Sequence, residues 1–260
     1  MSENAAPVIE LIDADIPRAR TAAPAVVVEG VHWTIRQGEF WAVGASPGGG
    51  KTDLLITAAA LQRPRRGRQQ IFGRDTRQMD ENELVACHQK VAMVFDSGRL
   101  FPGLTVAENL ALPLAYHLGA HRKEVTDRVE AILEMTHLQA YRDRLPGQMT
   151  RNLHQRVGLA RALVLSPEVL LVDSPLLGVD PRQSRWWLEF LCALNRGHEL
   201  FGKRPLTVVV TADDFRPWAE TARQFAILKE GRFEVIGGRE EVRSTREKVV
   251  QELLTPAFEV

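Results

Sequence analysis

Cysteine is scarce in this sequence, with two residues in 260, and neither sign of charge is in surplus, since 33 basic residues face 33 acidic ones. Each shortage excludes something. Cys87 and Cys192 lie far apart, with no metal-ligand spacing around either. Both read as small buried apolar residues rather than disulfide halves or zinc ligands. The balanced charge leaves no global positive field, so nucleic acid is not expected as a partner. The one basic cluster, Arg63-Pro64-Arg65-Arg66-Gly67-Arg68, reads as a solvated loop broken by its proline and glycine. No apolar run reaches the roughly 18 residues of a bilayer-crossing helix. Residues Met1 to Pro7 have neither the basic start nor the apolar stretch of a secretion signal. The expectation is a cytoplasmic chain whose membrane role, if it has one, passes through a partner.

What is present has the rhythm of an α/β protein, and the length suits one large domain or a core with a subdomain. Trp41-Ala42-Val43, Val91 to Phe95, Val169 to Val172 and Leu206 to Val210 are continuous apolar runs bounded by turn or polar residues. Such runs fit strands buried on both faces of a mostly parallel sheet. Between them come helical patterns. Val125, Val129, Ile132 and Leu133 form one stripe within about 120–138, and Val157, Ala160 and Val164 form another after Gln155. A short amphipathic helix is expected over Val249 to Leu254, docked on this chain or on a partner. No internal repeat is visible.

The chemistry begins at Gly44-Ala45-Ser46-Pro47-Gly48-Gly49-Gly50-Lys51-Thr52, which follows a strand and opens a helix at Leu54 to Ala58. That context is what a P-loop requires. Glycines let backbone amides turn inward around phosphate oxygens, and the helix N-terminus adds partial positive charge. Lys51 reaches the β- and γ-phosphates, and Thr52 offers its hydroxyl to Mg²⁺. Against the strict pattern, the first glycine is Ala45, with Gly44 one position early. Far downstream, Val169-Leu170-Leu171-Val172-Asp173 is a buried strand ending in an acid, the means by which such folds hold a phosphate-bound magnesium.

With these residues in place, the chain from about 9 to 237 resembles an ABC-transporter ATPase. Gly38-Glu39-Phe40 is similar to the family's lead-in to the P-loop strand. Leu100 to Asn109 resembles the segment after the Q-loop, beside the surface that receives a permease's coupling helix. Gln155 to Leu163 resembles the helix after the signature motif, and Gly178-Val179-Asp180-Pro181 matches the D-loop. Within the family, Val94 to Phe101 and Ala111 to Leu114 are most similar to the ATPases of MCE/Mla-type lipid transporters. The resemblance implies a P-loop NTPase core with a mostly parallel sheet, a small antiparallel β-subdomain and an inserted helical subdomain at about 97–160. Residues 1–8 would be an N-terminal tail and 238–260 a C-terminal tail or helix. It also implies ATP and Mg²⁺ as cofactors, and a nucleotide site of Ala45, Ser46, Pro47, Gly48, Gly49, Gly50, Lys51, Thr52 and Asp53. Thr52, Asp173 and Asp96 would face the metal. Integral-membrane permease subunits and a homodimer or heterodimer with another ABC ATPase are the implied partners, at the inner face of the cell membrane.

The departures from the family are systematic. The Q-loop glutamine is Asp96, and the signature Leu-Ser-Gly-Gly is replaced by Met149-Thr150-Arg151-Asn152-Leu153. Thr150, Arg151, Asn152 and the D-loop Asp180 would face the opposing subunit's nucleotide. The general base is Ser174, and a lost base costs about 10²–10⁴-fold in rate. The switch histidine is Ala212, and a lost oxyanion-type donor costs about 10²–10³-fold. Asp96, Asp213 or Asp214 could act as base from another strand end, Asp213 most directly. Asp53 replaces a hydroxyl residue after Thr52 and sets negative charge beside the α-phosphate. Residues 13–28 hold no aromatic for adenine, which leaves Arg18 or Arg20 to stack by its guanidinium. His88 and His154 have no partners at metal spacing, and Trp186 and Trp187 read as helix packing or a dimer contact. The expected function is an ABC-transporter subunit, of lipid type, that binds Mg-ATP and hydrolyses it weakly or not at all. The alternative is a non-transporting interaction module on the same fold.

Overall fold

The computed structural model describes residues 5–19, 25–45, 48–118 and 122–255. Two compact units divide the chain: residues 1–93 with 168–260, and residues 94–167. The second is wider at both ends than the expected helical subdomain at about 97–160.

The larger unit is built on one sheet. Its strands are β1 (Pro7–Pro17), β2 (Val26–Arg36), β3 (Phe40–Ala45), β4 (Arg68–Ile71), β5 (Arg74–Asp75), β6 (Val91–Val94), β7 (Val169–Val172), β8 (Thr207–Ala212), β9 (Gln224–Lys229) and β10 (Arg232–Gly237). The order is β5-β4-β1-β2-β10-β9-β3-β8-β7-β6. β7, β8, β3 and β9 run parallel, while β1, β2, β4 and β5 form the expected antiparallel portion. Every residue of β3, β7 and β8 is buried, which is why their sequences are unbroken by surface polar residues.

Helix α1 (Lys51–Ala58) follows β3, and α2 (Glu81–Lys90) starts from a capping box between Asp80 and Glu83. Pleat alternation in β3 sends Trp41, Val43 and Ala45 into a core shared with Leu54, Leu55 and Trp33. The other face of β3 meets the C-terminal helix. Of the expected tail or helix, the structure has helices: within 238–260, α7 (Arg239–Ser244) and α8 (Lys248–Leu254) bury Val242, Val250 and Leu253, and α8 packs on β3 and β9. The N-terminal boundary also moves. Val8 is buried within β1 and its carbonyl accepts from the Phe72 amide at 2.9 Å, so the strand begins inside the expected tail of residues 1–8.

Helix α6 (Pro181–Arg196) buries Trp187, Leu191, Leu194 and Asn195 on one stripe and touches β8, whereas Trp186 stacks on Phe190 with ring centroids 4.7 Å apart. The packing reading of the tryptophans therefore holds for Trp187.

The second unit is a cluster of α3 (Val106–Leu118), α4 (Arg122–Met135) and α5 (Arg151–Leu163). Val129, Ile132 and Leu133 of the expected stripe are buried, with Val125 at its half-buried margin. Val157, Ala160 and Val164 are buried as well. The segment before α3 is wound around one side chain. Asn109 is fully buried; its amide nitrogen donates to the carbonyls of Phe101, Leu104 and Thr105, and its oxygen accepts from the Phe101 amide. Thr105 and Glu108 close a reciprocal cap at the start of α3.

Candidate nucleotide-binding site

The site lies at the C-terminal ends of three adjacent parallel strands, where an open α/β sheet characteristically binds ligands. β3 delivers the phosphate loop and α1, β7 delivers Asp173, and β8 delivers Thr211 and Ala212. Ser46 and Pro47 lie outside the described residues.

Gly50 is the N-cap of α1, with φ of 90°, and a Cβ there would come within 2.6 Å of the Val27 side chain. Left-handed backbone and close approach together require glycine. Gly44 answers a different demand. It sits inside β3, where a Cβ would lie 2.4 Å from Leu253 and 2.6 Å from Phe215, so it makes room for packing and is no part of the loop. Ala45 serves in place of the first glycine because only its backbone is used: its carbonyl accepts from Lys51 Nζ at 2.7 Å.

Lys51 is only 8% exposed, and its ammonium also pairs with the Asp213 carboxylate. Thr52 Oγ1 donates to Asp173 Oδ2 at 2.6 Å. The other oxygen of Asp173 accepts from Thr211 Oγ1 at 2.8 Å, and the Ser174 amide donates to that same Thr211 hydroxyl at 2.8 Å. Asp173 is 2% exposed, and such a carboxylate requires this satisfaction. The hydroxyl–carboxylate pair of Thr52 and Asp173 is a hard-oxygen donor set of the kind Mg²⁺ takes. The residues present therefore fit a magnesium-bound polyphosphate.

Thr211 was not singled out by sequence reasoning. Its signal was a hydroxyl residue near the end of the otherwise apolar run Thr207-Val208-Val209-Val210-Thr211-Ala212. Asp53, expected to oppose the α-phosphate, accepts from the Ala19 amide at 2.8 Å, tying the end of the β1 segment to the first turn of α1. That contact sets the exposed Arg18 one residue from Asp53's partner; Arg20 lies outside the described residues.

Ser174 and Ala212, expected at the base and switch positions, lie just after β7 and at the end of β8. Ser174 follows Asp173 with φ of 47°, and its hydroxyl lies 3.4 Å from Thr211 Oγ1 and 3.5 Å from Asp173 Oδ1. Ala212, at the end of β8, has only a methyl group to offer. Of the candidate substitute bases, Asp214 is folded back on the amide and guanidinium of Arg216, and Asp213 sits on Lys51. The third, Asp96, belongs to the second unit, where it accepts from Arg151 Nη2 at 2.8 Å. Thr150 is the N-cap of α5, and Arg151 and Asn152 form its first turn. Asp180 caps α6 by accepting from the amides of Arg182 and Gln183.

The sequence profile described as ABC transporter matches residues 28–177, more than half of the chain. The chain belongs to the ABC transporter family. Among curated relatives of this ABC cassette, the methionine import ATP-binding protein MetN of Bifidobacterium longum is 34% identical over 216 residues, covering 83% of this chain and 52% of that protein. MetN of Burkholderia thailandensis is also 34% identical, covering 78% of this chain and 57% of its own length. The chain thus spans about half the length of the curated relatives it matches. Among solved structures, the dimeric post-hydrolysis state of the ATP-binding cassette MJ0796 with ADP and Pi is 28% identical, with a TM-score of 0.76 over 88% of this chain and 99% of that one. CbiO1 from Clostridium perfringens, part of the transporter complex CbiONQ, is 20% identical with a TM-score of 0.76 over 93% of this chain and 92% of its own, and supports the fold alone. This chain has the fold and the family membership of an ABC cassette. Among its described residues, no helix is long and apolar enough to cross a membrane.

Proposed function

We propose that this chain is the nucleotide-binding subunit of an ABC transporter which binds Mg-ATP and hydrolyses it weakly or not at all. The observation that carries the binding half is the convergence of Lys51, Thr52 and Asp173 at the strand ends, with the Thr52 hydroxyl on the Asp173 carboxylate at 2.6 Å. In this reading the loop amides and Lys51 hold the phosphates, while Thr52 and Asp173 hold Mg²⁺. When bound, Mg²⁺ neutralises charge on the phosphate oxygens. Thr211 holds the Asp173 carboxylate in the orientation that meets Thr52.

The weak-hydrolysis half rests on Ser174 and Ala212. A serine hydroxyl near neutrality does not take up a proton from water, and a methyl group makes no contact with a phosphate oxygen. These losses act on one catalytic unit and are not multiplied, although either alone is severe. Asp96, Arg151 and Asn152 add departures on the surface expected to face a second cassette.

A membrane permease as partner is supported by family membership and by the ordered Leu100 to Asn109 segment, and dimerisation by the likeness to the MJ0796 dimer. The lipid type rests only on the likeness of Val94 to Phe101 and Ala111 to Leu114; the curated relatives above are named for methionine import. Cargo belongs to the permease in either case. Purification of the tagged full chain from its own cells tests the transport role. Recovery of a multi-span membrane protein supports it, and recovery of soluble partners alone sinks it. The cargo of the recovered permease then decides between lipid and amino acid.

A further inference from the structure

The ammonium that a polyphosphate needs is already taken by an anion of the chain itself. Lys51 is nearly buried and donates to the Ala45 carbonyl and to the Asp213 carboxylate. Asp213 is placed there from both sides. Before it, Ala212 ends β8, which pairs with β3 at Gly44. After it, Phe215 is fully buried against Gly44 and Phe225, and its amide donates to the Leu253 carbonyl of α8 at 2.8 Å. Asp214, the neighbouring acid, is committed to Arg216 and does not compete for Lys51. The Asp213 side chain is 37% exposed, so it retains a route into water when displaced.

Resting on the reading of Lys51, Thr52 and Asp173 as a Mg-nucleotide site, we infer that Asp213 sets its phosphate specificity: an internal anion that stands where a γ-phosphate meets Lys51. A nucleoside diphosphate presents Lys51 with a β-phosphate alone, which the loop amides also hold, so Asp213 gives up only part of its contact with the ammonium. A triphosphate brings a γ-phosphate as well as a β-phosphate to the same cation, and the γ-phosphate and Asp213 repel at close range. The triphosphate must therefore displace Asp213, and its apparent affinity is reduced by the fraction of molecules in which the aspartate is displaced. The diphosphate, with one phosphate at Lys51 instead of two, carries the smaller penalty. Asp213 thus tilts the site toward the product-like ligand, independently of what Ser174 and Ala212 do to turnover.

Titration calorimetry on the full chain, with Mg-ADP and with a Mg-bound non-hydrolysable ATP analogue, tests this in wild type, Asp213→Asn, Asp213→Ala and Lys51→Ala. Thermal unfolding of each variant shows that it is folded. The expected result is tighter binding of ADP than of the triphosphate in wild type. Both Asp213 variants should raise triphosphate affinity about tenfold or more and change ADP affinity by less than about threefold. An unchanged ATP-to-ADP ratio in both variants overturns the inference while leaving the nucleotide site standing. A loss of triphosphate affinity also overturns it, because Asp213 would then be assisting binding. Failure of folded wild type and both Asp213 variants to bind either nucleotide removes the proposed site itself, and the inference with it.

Discussion

Thr211 is the side chain on which the most depends for its size. One hydroxyl donates to Asp173 and accepts from the Ser174 amide. Thr211→Val keeps the volume and removes both bonds, taking one partner from a buried carboxylate oxygen and one from an amide. The expected cost is about 2–3 kcal/mol, read from the midpoint of urea unfolding, together with weaker Mg-dependent nucleotide binding. At the same scale, Lys51→Ala removes the side chain that bridges the loop carbonyl at Ala45 and the acid at Asp213. Nucleotide binding by calorimetry should be lost while the fold persists. Lys51, Thr52 and Asp173 were legible in the sequence because the P-loop is a local pattern and a strand ending in an acid announces its carboxylate. Thr211 and the ion pair of Asp213 were not. They act across 38 and 162 residues of chain, and nothing in the residues beside them names the partner.

Among the elements, α8 is the one whose role changed most between sequence and structure. Its amphipathic pattern announced a helix over about 249–254, but not the surface it covers. That surface depends on Gly44, whose missing side chain leaves the space that Leu253 and Phe215 fill. Leu253→Ala should therefore destabilise the chain by about 2–4 kcal/mol in urea unfolding, the usual range for a buried leucine whose site collapses only in part. The helix is also pinned at its start, where Glu247 accepts from Lys229 Nζ at 2.7 Å. The Lys229 hydrogen bond holds the Glu247 carboxyl below its ordinary value of 4.5, and the same contact raises Lys229 above 10.5. For Glu247 the stabilisation is fully present above pH 4.5 and fades as pH falls through the lowered value. For Lys229 it is present below pH 10.5 and fades as pH rises through the raised one. The protection factors of α8 amides, which remove the intrinsic pH dependence of hydrogen exchange, should accordingly be flat through neutrality and fall at both extremes, and Glu247→Gln should remove the acid limb. The strands β3, β7 and β8 were read more surely than α8, because burial on both faces leaves runs with no charged residue. Their partners in the sheet, which involve a chain order no local pattern encodes, came only from the fold.

For the whole molecule, the sequence revealed the family, the inserted helical unit and the departures at Asp96, Ser174, Ala212 and Arg151. The domain edges were less visible. Val8 joins the sheet and the last helices join the core through contacts with distant strands, so composition alone put Val8 in a tail and left open where the C-terminal helix docks. The same limitation applies to the departures: what replaced each family residue could be read, but not that Asp96 meets Arg151 or that Asp213 meets Lys51. The central claim is a chain that holds Mg-nucleotide without an efficient means of hydrolysing it. Steady-state phosphate release from Mg-ATP by the purified full chain, with nucleotide occupancy measured in the same sample, tests it most directly. The account predicts saturable binding that Lys51→Ala abolishes, with turnover far below about one per second, the low end of ordinary enzyme rates. Turnover at or above that rate, abolished by Lys51→Ala but retained in Asp213→Ala and Asp214→Ala, would contradict it.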